Sequence, residues 1–203
     1  AREPMSLENL LYFMDYLVTN YPSDPEVRFL VDEREMFFLP VFNPDGYVYN
    51  EQTYPGGGGM WRKNRRNNGG SYGVDLNRNF GYMWGYDNRG SSYNPSSATY
   101  RGTAAFSEPE SQAVRDFVDQ RHFLVALNYH SYGNYYNHAW GYDYFYTEDH
   151  DVFTELGYVL NELNDYRVGP SWMNLYTVNG GVNDWMYGDT CHVVMYSYVV
   201  EIG

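Results

Sequence analysis

Apolar positions recur at helical spacing in several stretches of the chain. Leu7, Leu10, Leu11, Met14, Leu17 and Val18 repeat every three or four residues behind Ser6. That spacing predicts a helix over residues 6–20 with Ser6 as its N-cap. Ala113, Val114, Phe117 and Val118 mark a second helix. It follows Ser107-Glu108-Pro109-Glu110, which has the spacing of a capping box. Val152, Phe153, Leu156, Val159, Leu160 and Leu163 give a third. Asp184-Trp185 opens a shorter one.

Other apolar runs are continuous instead of periodic, as in strands covered on both faces. They are Glu35-Met36-Phe37-Phe38-Leu39-Pro40-Val41-Phe42, then Phe123-Leu124-Val125-Ala126-Leu127, then residues 192–200. The second runs into Asn128-Tyr129-His130-Ser131-Tyr132 and the third into Glu201. A buried strand that ends in polar residues is how open α/β sheets place a ligand at their carboxyl edge. The breakers fall between these elements. Tyr21-Pro22-Ser23-Asp24-Pro25 ends the first helix, Asn43-Pro44-Asp45-Gly46 reads as a turn, and Asn179-Gly180-Gly181 as another. Pro55-Gly56-Gly57-Gly58-Gly59 reads as a flexible segment. No Gly-Lys-Ser/Thr follows it, so it is not a phosphate loop. Residues 81–103, rich in Tyr, Gly, Ser and Asn, read as a long surface loop on a substrate rim. The expected class is α/β, a three-layer α/β/α sandwich with a mixed, mostly parallel central sheet. There is no internal repeat and no domain linker.

Charge narrows the partners. The 203 residues carry 13 Lys and Arg against 26 Asp and Glu, a formal net charge of −13. Such a chain repels phosphate backbones, so no nucleic-acid partner is expected. No apolar run reaches the roughly 18 residues that would span a bilayer, so no membrane partner is expected either. Aromatic residues make up 20% of the chain, with 24 Tyr, which suits an extended binding surface or the polar exterior of a secreted protein. Cys191 is the single cysteine, so no intrachain disulfide forms. It neighbours His192, but adjacent residues on a strand point to opposite faces, which argues against a thiol–imidazole pair. His122, His138 and His150 stand at no metal-ligand spacing and read as structural or surface residues.

Within this acidic chain, Gly73-Val74-Asp75-Leu76-Asn77-Arg78-Asn79-Phe80 sets a guanidinium and amides among apolar positions. It reads as the end of a buried strand. Met60-Trp61-Arg62-Lys63 adds cations just upstream. A guanidinium fork matches the two oxygens of a carboxylate, so an anionic ligand is one reading of Arg78. Pairing with a structural Asp or Glu is the other.

Taken in order, these blocks resemble the zinc metallocarboxypeptidases, the family of pancreatic carboxypeptidases A and B and their bacterial relatives. The match is carried by Ala1-Arg2-Glu3, Met60-Trp61-Arg62-Lys63, Asp75-Leu76-Asn77-Arg78-Asn79 and His130-Ser131-Tyr132. Tyr176 with Gly180-Gly181 and Asp184-Trp185 continues it, and Tyr196-Ser197-Tyr198-Val199-Val200-Glu201 completes it.

The resemblance implies a zinc-dependent exopeptidase that hydrolyses the C-terminal bond of peptides and proteins outside the cell. It assigns Glu3 and His130 as ligands of one Zn2+, with a third, a histidine, expected just before Ala1. It assigns Glu201 as general base and Arg62 as the stabiliser of the oxyanion. Asn77 and Arg78 are the grip on the substrate's terminal carboxylate, and Tyr176 closes over it. Arg2 and Tyr132 line the next subsite inward, and Asn183 lies at the floor of the side-chain pocket. Gly59 stands where the family has a further arginine, so one cation of the entry path is missing. The family pattern also makes residues 1–203 the central part of a single catalytic domain, incomplete at both termini. Asn183 is polar and neutral, Val178 and Val199 are apolar and Gly141 leaves room, which implies release of neutral C-terminal residues, apolar or aromatic ones preferred. A non-catalytic relative that only binds peptide C-termini is the alternative. Retention of Arg62 and Glu201 speaks against it.

Overall fold

The computed structural model describes residues 1–189 and 194–202. Cys191 and His192, and with them the expected start of the last strand, lie outside the described residues. Helix α1 (Pro4–Asn20) starts two residues before Ser6. Proline at the first helical position is already in helical φ, so Glu3 becomes the N-cap and Ser6 Oγ donates back to its carbonyl at 2.6 Å. Two further helices begin where breakers were expected. Asp24 caps α2 (Pro25–Glu33), its Oδ1 accepting from the amides of Glu26 and Val27. Asn43 caps α3 (Pro44–Thr53), accepting from Gly46 N at 2.9 Å. In each case an Asx–Pro pair is a helix start, because the Asx oxygen takes orphan N–H groups and the proline has none to lose.

Residues 34–43 form no strand. Among the described residues they find no sheet partner, and Phe37 and Leu39 remain 42% and 58% exposed. The segment is held instead by aromatic packing, with Phe37 edge-on to Phe117 and Phe123 and Phe38 edge-on to Phe13. Leu76–Arg78 is a turn of 3-10 helix and not a strand end. Helix α4 (Pro109–Asp119) follows, but its N-cap is Glu108 and no Ser107–Glu110 box forms. Ser107 Oγ donates instead to Glu108 Oε1 at 2.7 Å.

The sheet comprises β1 (Val125–Ser131), β2 (Tyr135–His138), β3 (Arg167–Pro170) and β4 (Tyr196–Ile202) in the order β1-β4-β2-β3. The pairs β1–β4 and β2–β3 are parallel and β2–β4 is antiparallel, so the sheet is mixed and mostly parallel. Strand β1 is less buried than its apolar sequence suggests, since Leu124 and Val125 sit at the sheet edge and are exposed. Helix α5 (His150–Leu160) stops short of Leu163 and covers one face, packing Phe153 against Tyr136, Tyr198 and Val200. Beyond the short α6 (Ser171–Asn174), helices α4 and α7 (Val182–Gly188) cover the other, where Val118, Val182, Trp185 and Met186 form a second core. The three-layer α/β/α expectation is met.

Residues 81–103 are irregular, but they are more than a surface loop. Gly90, Ser91 and Tyr100 are buried, and a bridge pairs Ser92 with Tyr100. Asn79, fully buried, ties this region to α4. Its Nδ2 donates to the carbonyls of Arg101 and Ala104 and to Ser107 Oγ, while its Oδ1 accepts from Glu108 N and Ser111 Oγ. Replacing Asn79 with Ala therefore leaves several buried groups unpaired at once. The expected loss of stability is about 3 kcal/mol or more, measured by urea unfolding. A loss under about 1 kcal/mol would show that water replaces the amide without cost.

Candidate functional site

The carboxyl ends of β1 and β4 open into a cavity of about 400 Å³, a size typical of ligand clefts. Its wall contains every residue singled out from the sequence: Glu3, His130 and Glu201; Arg62, Asn77 and Arg78; Arg2, Tyr132, Tyr176 and Asn183. They come from the start, the middle and the end of the chain, and only the fold brings them together.

Register explains much of this. In the parallel pairing of β1 with β4, His130 lies opposite Glu201. Side chains alternate along a strand, so Tyr198 and Val200 enter the α5 core while Val199 and Glu201 turn to the cavity. Glu3, the N-cap of α1, reaches the same place. Its Oε2 lies 2.9 Å from His130 Nδ1 and accepts from Ser131 N at 3.4 Å. Burial works against the charge on Glu3, but the hydrogen bond and charge of His130 overcome it and bring the carboxyl down to about 2. Burial likewise opposes protonation of His130, yet Glu3 and then Glu201 raise it. Glu201 is pushed up, chiefly by burial and then by Glu3, against the pull of His130 and Arg62.

The cations are held by a carboxylate the sequence reading left out. Asp75, 3% exposed, accepts from Arg62 Nη2 at 2.6 Å and stands 3.8 Å from Arg78 Nη1. Burial costs Arg62 part of its charge stability, and Asp75, joined by Tyr176 and Glu3, more than restores it. Asp75 stands three positions before Arg78, a spacing that brings it beside the guanidinium once 76–78 turn as a 3-10 helix. Arg78 is 2% exposed, and its Nε and Nη1 donate to the carbonyls of Gly90 and Asn77 at 2.7 and 2.6 Å. Arg78 thus stands beside a structural Asp, and it also faces the cavity. Its fork is not wholly free, because protein carbonyls already take two of its nitrogens. Asn77 Oδ1 accepts from Val182 N at 3.0 Å, which leaves its amide nitrogen for a ligand. Gly180 closes against this turn with φ +62°, and a Cβ there would lie 2.7 Å from the carbonyl of Arg78. Only glycine fits.

Tyr132 and Tyr176, 87% and 54% exposed, stand at the mouth. Residues 81–103 contribute no side chain to the wall. They support it from behind through the Gly90 carbonyl, which corrects their expected place on a substrate rim. Imidazole nitrogen and carboxylate oxygen are donors that zinc accepts, so the chemistry of Glu3 and His130 fits that ion. Two donors are one short of a catalytic set, and among the described residues no group of three potential ligands occurs.

Known proteins resemble this chain in sequence and in fold. The model of the family described as "Zinc carboxypeptidase" matches residues 1–203. Carboxypeptidase O of Bos taurus is 35% identical over 195 residues, covering 91% of this chain and 50% of the relative. Carboxypeptidase B of Bos taurus is 35% identical over 212 residues, covering all of this chain and 49% of the relative. The chain thus spans about half the length of the curated relatives it matches. Among solved structures, bovine thrombin-activatable fibrinolysis inhibitor, in complex with tick carboxypeptidase inhibitor, superposes with a TM-score of 0.83. It is 28% identical, and the match covers 98% of this chain and 67% of that one.

Asp184 also lines the cavity. Its oxygens accept from the amides of Gly141 and Tyr142 at 2.8 to 2.9 Å, yet burial outweighs these bonds and pushes its carboxyl up to about 7. A folded-state value above the unfolded one means that stability is fully present below about pH 4 and is lost as pH rises through 7. Unfolding free energies across pH 4 to 8 should therefore show a falling component that Asp184→Asn removes. An unchanged profile in the variant would assign that slope to other groups.

Proposed function

Since the chain belongs to the zinc carboxypeptidase family, we propose that its cleft hydrolyses the last peptide bond of peptides and proteins, releasing a neutral C-terminal residue. One observation supports this above the rest. A glutamate, a histidine and a second glutamate meet in one cavity with two arginines and an amide. Glu3 and His130 would hold zinc. When bound, the ion supplies a Lewis acid that polarises the scissile carbonyl and makes water more acidic.

The remaining work falls to the chain's own side chains. Glu201 takes the proton of the attacking water and returns it to the leaving amine. Its partial burial beside Val199 raises its carboxyl above the ordinary carboxylate value, which favours such proton exchange. Arg62, oriented by Asp75, donates to the oxygen that becomes negative as the carbonyl turns tetrahedral. The Asn77 amide and the Arg78 hydrogens left over from the Gly90 and Asn77 carbonyls grip the substrate's terminal carboxylate. That contact restricts attack to the last bond. Tyr176 at the mouth closes over the bound terminus. Arg2 and Tyr132 meet the residue next inward. Asn183, among Val178, Val199 and Gly141, forms the floor for a neutral side chain, apolar or aromatic ones included. Secretion belongs to the same reading, and an acidic, tyrosine-rich chain suits it. A pure binder of peptide C-termini would have no use for a half-buried Glu201 or an oriented Arg62.

Two substitutions in the full-length, zinc-loaded protein test these roles. Glu201→Gln should lower kcat by about 100- to 10,000-fold while zinc content measured by mass spectrometry stays at the wild-type level. Joint loss of activity and metal would make Glu201 structural. Arg78→Lys should lower kcat/KM by about 10- to 100-fold, mostly through KM, because a point charge cannot keep the Gly90 and Asn77 bonds while gripping a carboxylate. Unchanged kinetics would remove Arg78 from the grip.

A further inference from the structure

Asn183 sits in the first turn of α7, 5% exposed and lining the cavity, and neither its Oδ1 nor its Nδ2 has a hydrogen-bond partner among the described residues. The neighbouring amides differ. Asn79 uses both ends, Asn179 bonds Ser91 Oγ and the Tyr142 carbonyl, and Asn77 accepts from Val182 N. A buried donor and acceptor left unmade are costly, and native proteins rarely keep both on one side chain without something to fill them.

No described residue stands within hydrogen-bond distance of the Asn183 amide. Val178, Val199 and Gly141 bring no polar side chain, and the Asp184 carboxylate is committed to the Gly141 and Tyr142 amides. The missing partner must therefore enter through the cavity. We infer that Asn183 makes this cleft select C-terminal side chains whose tip carries both a hydrogen-bond donor and an acceptor, tyrosine over phenylalanine and glutamine over methionine. The inference rests on the carboxypeptidase reading and deepens it.

The chemistry excludes the other classes. A phenyl or thioether tip buries both amide atoms without a partner. An ammonium cannot accept from Nδ2, and a carboxylate cannot donate to Oδ1. A phenol or a carboxamide answers both ends at once on a body that still fills the apolar walls. A site built to hydrogen-bond its substrate rejects the analogue that lacks the polar group far more strongly than an apolar pocket discriminates by size.

The test uses the full-length, zinc-loaded protein and peptides identical except for a terminal Tyr, Phe, Gln, Met, Lys or Glu. The Tyr/Phe and Gln/Met ratios of kcat/KM should each be about tenfold or more, and both should fall to about one in Asn183→Leu. Calorimetric binding of N-acetyl-tyrosine and N-acetyl-phenylalanine should show the same preference without turnover. Wild-type ratios near one, a lead for Lys or Glu, or ratios that survive Asn183→Leu would overturn the inference while leaving the peptidase reading in place. Release from none of the six peptides would instead overturn the peptidase reading. Calorimetry then judges Asn183 alone, and equal affinity for the two acetylated amino acids would end its role.

Discussion

The parallel pairing of β1 with β4, in the register that sets His130 beside Glu201, is the constraint on which the rest of this structure depends. A slip of β4 by one residue would turn Glu201 into the α5 core and bring Val200 to the cavity. What forbids it is burial on both faces. Tyr198 and Val200 are seated around Phe153 on one side, while Ser197 and Asn128 bond each other beside Met186 on the other. The two cores thus fix a geometry that neither polar residue could fix for itself.

Around that register the cleft is a charge arrangement that an acidic protein of net charge −13 would not form by chance proximity. Asp75 is the hinge of it. Buried, it holds Arg62 and stands beside Arg78, so two guanidiniums share one wall at tolerable mutual repulsion. Opposite them, Glu3 and His130 stabilise each other's charged forms, and burial leaves Glu201 readier than Glu3 to hold a proton. Two acids in one cavity with values driven apart by their surroundings can take different roles, one suited to hold a cation and one to exchange a proton.

The sequence reveals chemistry here better than it reveals geometry. Motif blocks such as His130-Ser131-Tyr132 and Asn77-Arg78 name the residues that later share a cavity, because their types and order are constrained by what they contact. Local form is less legible. Asp24-Pro25 and Asn43-Pro44 look like breakers until the Asx oxygens are seen to cap helices. Residues 35–42 have a strand's composition, but pairing decides strands, and no partner lies beside them among the described residues. The 3-10 turn at Leu76–Arg78 is hidden in the same way, since the Gly90 and Gly180 backbones that mould it lie far along the chain. Asp75 escapes notice because its partners are set by that turn. The orphaned amide of Asn183 is invisible in sequence altogether, being a matter of what its neighbours fail to provide.

The central claim is that one cleft both recognises a free carboxylate and cuts the bond before it. Mass spectrometry of products from a matched pair of peptides, one ending in a free carboxylate and one amidated, tests it most directly in the full-length, zinc-loaded protein. Stepwise loss of single residues from the C-terminus of the free acid, and none from the amide, is the expected result. Internal cleavage, or equal trimming of both peptides, would contradict it.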